Sequence, residues 1–79
     1  MNFLERLERM HRIHKLIQME TTGSPAEFAE RLHLRERQLY NILDELKNYG
    51  AEIKFDLVKY SYYYTCNFEF SVKIGEIFR

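Results

Sequence analysis

Apolar residues recur at Phe3, Leu7, Met10, Ile13, Leu16 and Ile17, mostly three or four positions apart, the spacing that gathers side chains on one face of an α-helix. No Gly or Pro interrupts the stretch from Asn2 to Glu20, so the pattern predicts an amphipathic helix over 2–20. Arg6, Arg9 and Arg12 fall on its opposite side with Glu5 and Glu8, as a solvated face requires.

Thr21 to Gly23 break that period. Ser24 then supplies an N-cap, Pro25 a first-turn proline and Glu27 the third member of a capping box. A second helix is predicted over 25–32, turning Phe28, Ala29 and Leu32 inward. His33 and Leu34 form a tight turn. A third helix over 35–48 buries Leu39, Ile42, Leu43 and Leu46, and Gly50 is placed to end it in the left-handed region.

Beyond Gly50 the period shortens from 3.6 to 2. Ile53 and Phe55 alternate with Lys54 and Asp56, which predicts a strand over 52–56. After a turn near Leu57 to Lys59, the aromatic run Tyr60 to Cys66 predicts a second strand over 60–66 and closes a hairpin. A last alternation, Phe68, Phe70, Val72 and Ile74 against Glu69, Ser71 and Lys73, predicts a third strand over 68–74. The class is therefore α+β, in a single domain over 1–79. No repeat or linker divides it.

Size and charge narrow the function. At 79 residues the chain is long enough for a modest core but too short for a deep enzyme cleft, so activity is expected on its surface. No Gly-rich phosphate loop, paired carboxylate set or nucleophile elbow is present, and no enzymatic role is predicted. Twelve basic residues balance twelve acidic ones, which counts against nonspecific attraction to a polyanion. The N-terminus is charged and amphipathic rather than signal-like, and no apolar run reaches the roughly 20 residues of a membrane span; a cytoplasmic protein is expected. Cys66 is the single cysteine, so no internal disulfide or cysteine-based zinc site forms, and its thiol is expected to be inert and partly buried. His11 and His14 stand at i, i+3 without a third ligand nearby, so neither metal nor cofactor is predicted.

Two short helices around a tight turn, preceded by a helix and followed by a hairpin, are laid out as a helix-turn-helix with a wing. The run Phe28-Ala29-x-x-Leu32-His33-Leu34-x-x-Arg37-Gln38-Leu39-Tyr40-x-x-Leu43-x-x-Leu46, then Gly50-Ala51-x-Ile53, resembles the winged helix-turn-helix at the N-terminus of DeoR-like and WYL-domain bacterial regulators, over roughly residues 13–64. That motif is largely a spacing of apolar residues. The resemblance implies a winged-helix fold and a role in transcription regulation, with the third helix as the DNA reader. The chain departs from it twice: Arg35 stands where a capping Ser is usual, so the cap of the third helix has to come from elsewhere, and His33 stands where the turn usually has Gly. A stand-alone winged helix, without the ligand-sensing domain of the larger regulators, is the expectation.

At 100° per residue, Arg37, Asn41, Asp44 and Asn48 lie nearly opposite the buried stripe of the third helix, flanked by Gln38 and Tyr40. Arg grips guanine, and Asn or Gln adenine, through paired hydrogen bonds in the major groove. Arg37, Gln38 and Asn41 are thus the expected base readers. Tyr40 and Lys47 are expected towards the DNA backbone and Lys59 on the wing, with Lys54 the other cation there; a continuous positive band joining Arg35, Arg37 and Lys59 would favour DNA, and an apolar patch over Phe68 to Ile74 a protein partner. Asp44 works against this, and the same pattern also describes an ordinary solvated face.

Two copies on a palindromic site would compensate for neutral charge. Phe3, Leu7, Met10, His14 and Ile17 are spaced 4-3-4-3, the seam of a short coiled coil, and the strand carrying Phe68 and Phe70 is a second candidate seam. The alternative is that the stripe caps its own core. His14 within such a seam would make association acid-sensitive. Tyr60, Tyr62, Tyr63 and Tyr64 suit either a stacking platform for single strands or cross-strand packing, with alternation favouring packing. The leading expectation is a homodimeric, sequence-specific binder of double-stranded DNA. The rival is a winged helix used for protein contacts without DNA.

Overall fold

The computed structural model describes residues 2–68. The expected third strand, 68–74, and with it Phe70, lies outside the described residues apart from Phe68, which is half-buried and assigned to no strand. Three helices, α1 (Phe3–Gln18), α2 (Pro25–Arg31) and α3 (Glu36–Asn48), precede two strands, β1 (Ile53–Asp56) and β2 (Ser61–Tyr64). The class is α+β, and the order is compatible with a winged-helix layout. Among the described residues no helix is long and apolar enough to cross a membrane.

The first two helices start where a polar side chain takes a free amide. Asn2 Oδ1 accepts the Glu5 amide at 2.8 Å. Ser24 Oγ accepts the Glu27 amide at 3.2 Å while the Ser24 amide donates to Glu27 Oε1 at 3.3 Å, the reciprocal pair that the sequence predicts. Arg35 cannot accept, and the substitute is partial: its own amide donates to Gln38 Oε1 at 2.9 Å, while no side chain caps the first-turn amides of α3.

The helices end alike. Glu20, His33 and Gly50 each take a positive φ, +56°, +56° and +106°. After each, a residue's amide reaches back to the carbonyl five positions earlier, Thr21 to Leu16 at 3.1 Å, Leu34 to Ala29 at 2.9 Å and Ala51 to Leu46 at 3.1 Å. These are three Schellman closures. The first stops α1 at Gln18, two residues short of the expected end. Only one of the three has the glycine this conformation favours.

Phe28 of α2 is fully buried at the centre of the core. Around it pack Met10, Ile13 and Ile17 from α1, Ala29 and Leu32 from α2, Leu39, Ile42, Leu43 and Leu46 from α3, and Ala51 and Ile53 beyond it. The apolar positions expected inside α2 and α3 are all there, because their 3.6-residue spacing leaves them no other face.

The strands pair antiparallel, with Ile53 opposite Tyr64, Lys54 opposite Tyr63, Phe55 opposite Tyr62 and Asp56 opposite Ser61. Both are shorter than expected. The second begins one residue late because Tyr60 has φ +55°, a turn conformation that a strand residue cannot adopt. One further bond, Thr65 amide to Glu52 carbonyl at 2.9 Å, extends the pairing past Tyr64.

The hairpin is tied to the helices by a buried polar knot. The Thr22 amide donates to Ser61 Oγ at 3.0 Å, and the Tyr62 amide donates to Thr22 Oγ1 at 2.9 Å. Thr22 is fully buried and Ser61 nearly so. Below it, Tyr62 packs its ring 5.9 Å from that of Phe28, and Tyr64 places its hydroxyl 2.8 Å from His14 Nδ1. These two tyrosines belong to the core-facing side of the sheet, as alternation requires.

Candidate nucleic-acid interface

The exposed side of α3 divides into three rows. Along the middle, Arg37, Asn41, Asp44 and Asn48 are all exposed, in line one turn apart and opposite the buried Leu39, Ile42, Leu43 and Leu46. None of the four side chains makes a hydrogen bond or ion pair among the described residues. Gln38 and Glu45 form the edge facing α1, where with Arg6, Leu34, Asn41 and Ile42 they line a shallow depression of about 220 Å³. Arg6 of α1 ion-pairs with Glu45 there. Tyr40 and Lys47 form the other edge.

The expected base readers therefore differ in what they have free. Arg37 and Asn41 offer whole side chains. Gln38 has its amide oxygen engaged by the Arg35 amide and keeps its NH₂ as a donor. Tyr40, 44% exposed, places its hydroxyl 3.4 Å from Glu36 Oε1. Local desolvation, then the Glu36 carboxylate, hold that phenol protonated above its ordinary range. It remains a donor. Arg35 is exposed at the start of α3 and Lys47 near its end.

Tyr62 anchors the hairpin to the core. Burial, and after it Tyr40 and Glu36, raise its phenol, while β2 itself packs against α1. From Tyr62 the aromatic contacts continue outward to Phe55 at 5.1 Å and from Phe55 to Tyr60 at 5.7 Å, both edge-to-face. At the tip, Asp56 Oδ1 accepts the amides of Val58 at 2.7 Å and Lys59 at 3.3 Å, an Asx turn that holds the loop.

Lys59 lies in the hairpin turn, where the sequence puts it. Its ammonium is ion-paired with Glu20, and that bond, ahead of the simple attraction of the charges, raises its pKa. It also lies 6.0 Å from the centre of the Tyr63 ring. Its charge is thereby paired with an acidic residue whose position in space the sequence does not reveal. Lys54 is exposed on β1.

The dimer stripe is corrected by the packing. Met10 and His14 are 2% exposed and Ile17 is wholly buried, all inside the same domain, so a coiled coil through them would have to open the core. Leu7 is half-buried, and of the five only Phe3, 67% exposed, stands clear. The stripe caps its own fold. The His11 and His14 rings lie 6.4 Å apart, His14 Nδ1 faces Tyr64, and among the described residues no three potential ligands converge on a metal position. Cys66 is exposed, not partly buried, because it follows the last paired residues of the hairpin.

Three features went unnoticed in the sequence: the Thr22–Ser61 knot, the pairing of Glu20 with Lys59, and the tip residues Leu57 and Val58, which are 82% and 94% exposed. The last had a readable signal, since two aliphatic residues occupy a turn where polar ones are usual. The first two join residues 39 positions apart and carry no local pattern. No protein-family description, curated protein or solved structure matches the chain.

Proposed function

We propose that the chain is a winged-helix protein that binds duplex DNA and regulates transcription, with α3 entering the major groove. The observation that carries this reading is the outward row of α3, where Arg37 and Asn41 stand one turn apart, exposed and unpartnered among the described residues. Arg and Asn at that spacing match adjacent base edges. Arg35 beside the uncapped first-turn amides and Lys47 near the end of α3 supply donors for phosphates. Zero net charge makes a single copy a weak binder, so useful affinity comes from two copies on adjacent half-sites.

The test is selection of duplexes from a randomised pool, followed by binding of Arg37→Ala/Asn41→Ala. Sequence-selective binding should disappear while the thermal midpoint stays put. Unchanged selectivity would remove α3 from the reader's role. A winged helix used for protein contacts is the second reading, favoured by Asp44 in the middle of the α3 row and by the pairing of Lys59 with Glu20.

A further inference from the structure

Hydrogen bonding leaves one edge of the hairpin open. The Thr65 amide donates to the Glu52 carbonyl, and the register sets Lys54 opposite Tyr63 and Asp56 opposite Ser61. In an antiparallel ladder every second pair is hydrogen-bonded, so Glu52, Lys54 and Asp56 bond inward to β2 while the amides and carbonyls of Ile53 and Phe55 point outward. On β2 the matching outward amide, that of Tyr62, is taken by Thr22 Oγ1 at 2.9 Å. On β1 no described residue takes any of the four outward groups. An unpaired strand edge is a template for another strand.

We infer that the outer edge of β1 is the seam of a homodimer, in which two copies join their hairpins edge to edge into one four-stranded antiparallel sheet with the two-fold axis at Phe55. The inference is independent of the DNA-binding reading of α3. In this register Phe55 exchanges both backbone bonds with Phe55 of the second copy, Lys54 faces the second copy's Asp56, and Ile53 faces its Leu57.

Charge and shape both select a second copy as the occupant. Lys54 is exposed, and Asp56 uses Oδ1 to hold the tip amides, which leaves its other carboxylate oxygen for a cation. The symmetry sets opposite charges face to face twice, an arrangement that stabilises a strand pair. Leu57 and Val58, the most exposed large apolar side chains among the described residues, arrive by the same register opposite Ile53 and Glu52. Those two, with Ala51 and Lys54, line a depression of about 370 Å³, so each tip meets the other copy's hollow. The neighbouring registers fit worse. An axis at Lys54 sets like charges face to face, and an axis at Ile53 calls on the Ala51 amide, which is already given to the Leu46 carbonyl at 3.1 Å.

Sedimentation of the full chain over a concentration series, with amide hydrogen exchange alongside, tests the seam. The parent chain should dimerise, and exchange at the Ile53 and Phe55 amides should slow as concentration rises. Lys54→Glu and Asp56→Lys should each lower the association constant by about tenfold or more, because like charges then meet twice. Mixed in equal amounts the two variants should form a heterodimer, since every contact then pairs opposite charges. Asp56→Asn keeps the acceptor of the tip turn and should weaken association to a smaller extent, so the dependence on charge is read even where Asp56→Lys does not fold. A parent chain that is monomeric at every concentration overturns the proposal, as does a dimer that Lys54→Glu leaves unchanged. Protection of the Ile53 and Phe55 amides in a monomer overturns it in favour of another segment on the same edge.

Discussion

Lys59, the cation at the wing tip, is ion-paired with Glu20, the residue that closes α1 in the left-handed conformation. The pair joins the end of the first helix to the hairpin and neutralises a charge at its tip. Glu20→Gln keeps the side chain's size and removes its charge. On the DNA-binding reading this variant binds duplex more tightly at low salt, and the slope of log affinity against log salt steepens by about 1 as one more phosphate contact forms. Salt titrations that superimpose on those of the parent chain would show that Lys59 never reaches DNA.

Ser61 carries a second structural connection. Its Oγ accepts the Thr22 amide and lies 3.1 Å from Thr22 Oγ1, in a part of the interior that excludes water. Ser61→Ala removes the acceptor without adding bulk and leaves a buried amide unpaired, a defect that costs about 1–3 kcal/mol. For a domain of this size each kcal/mol lowers the thermal midpoint by roughly 4–8 °C. A shift within error of zero would mean that the Thr22 amide finds another partner.

The elements were legible because local rules agree with the packing. The capping box of Ser24 and Glu27, the inward positions of α2 and α3 and the alternation through Ile53, Phe55, Tyr62 and Tyr64 each follow from a period that one buried face enforces. The outward row of α3 was legible for the same reason, being what remains once the buried stripe is assigned. What escaped was non-local or two-sided. The stripe of Met10, His14 and Ile17 has the spacing of a coiled coil and of a core-facing helix alike, and only the presence of Phe28, Tyr64 and their neighbours decides that it is core. Nothing near Lys59 in sequence announces Glu20.

The turn between α2 and α3 is built from residues poorly matched to it, which makes it open to improvement. His33 has φ +56°, a region that costs a residue with a Cβ about 1–2 kcal/mol relative to right-handed backbone. Arg35 leaves the first-turn amides of α3 without a side-chain acceptor. His33→Gly should raise stability by about 1 kcal/mol, and Arg35→Ser by a further amount of about 1 kcal/mol as a cap forms. Chemical denaturation of the two single variants and the double tests this, with near-additive gains expected. Loss of stability in His33→Gly would show that the His33 side chain makes up for its backbone.

Burial holds the Tyr64 phenol well above its ordinary value of about 10, and Tyr62 is raised by burial first, then by Tyr40 and Glu36. The unfolded chain releases both protons near pH 10 while the folded one retains them, so the folded state binds more protons above that pH. Stability is therefore fully present below about pH 10 and falls as pH rises beyond it. The protein should unfold cooperatively at high pH, with the phenolate absorbance of the half-buried Tyr62 and Tyr64 appearing at that transition, after that of the exposed tyrosines. Tyr64→Phe separates the two roles of this side chain. At neutral pH it should be less stable by about 0.5–1.5 kcal/mol, since the bond to His14 is gone. Above pH 10 its stability should decline less steeply than the parent's, because one raised phenol has been removed. Parallel alkaline profiles for the two proteins would mean that Tyr64 ionises in the folded state, and that its ring is more open to solvent than its place between His14 and Phe68 implies.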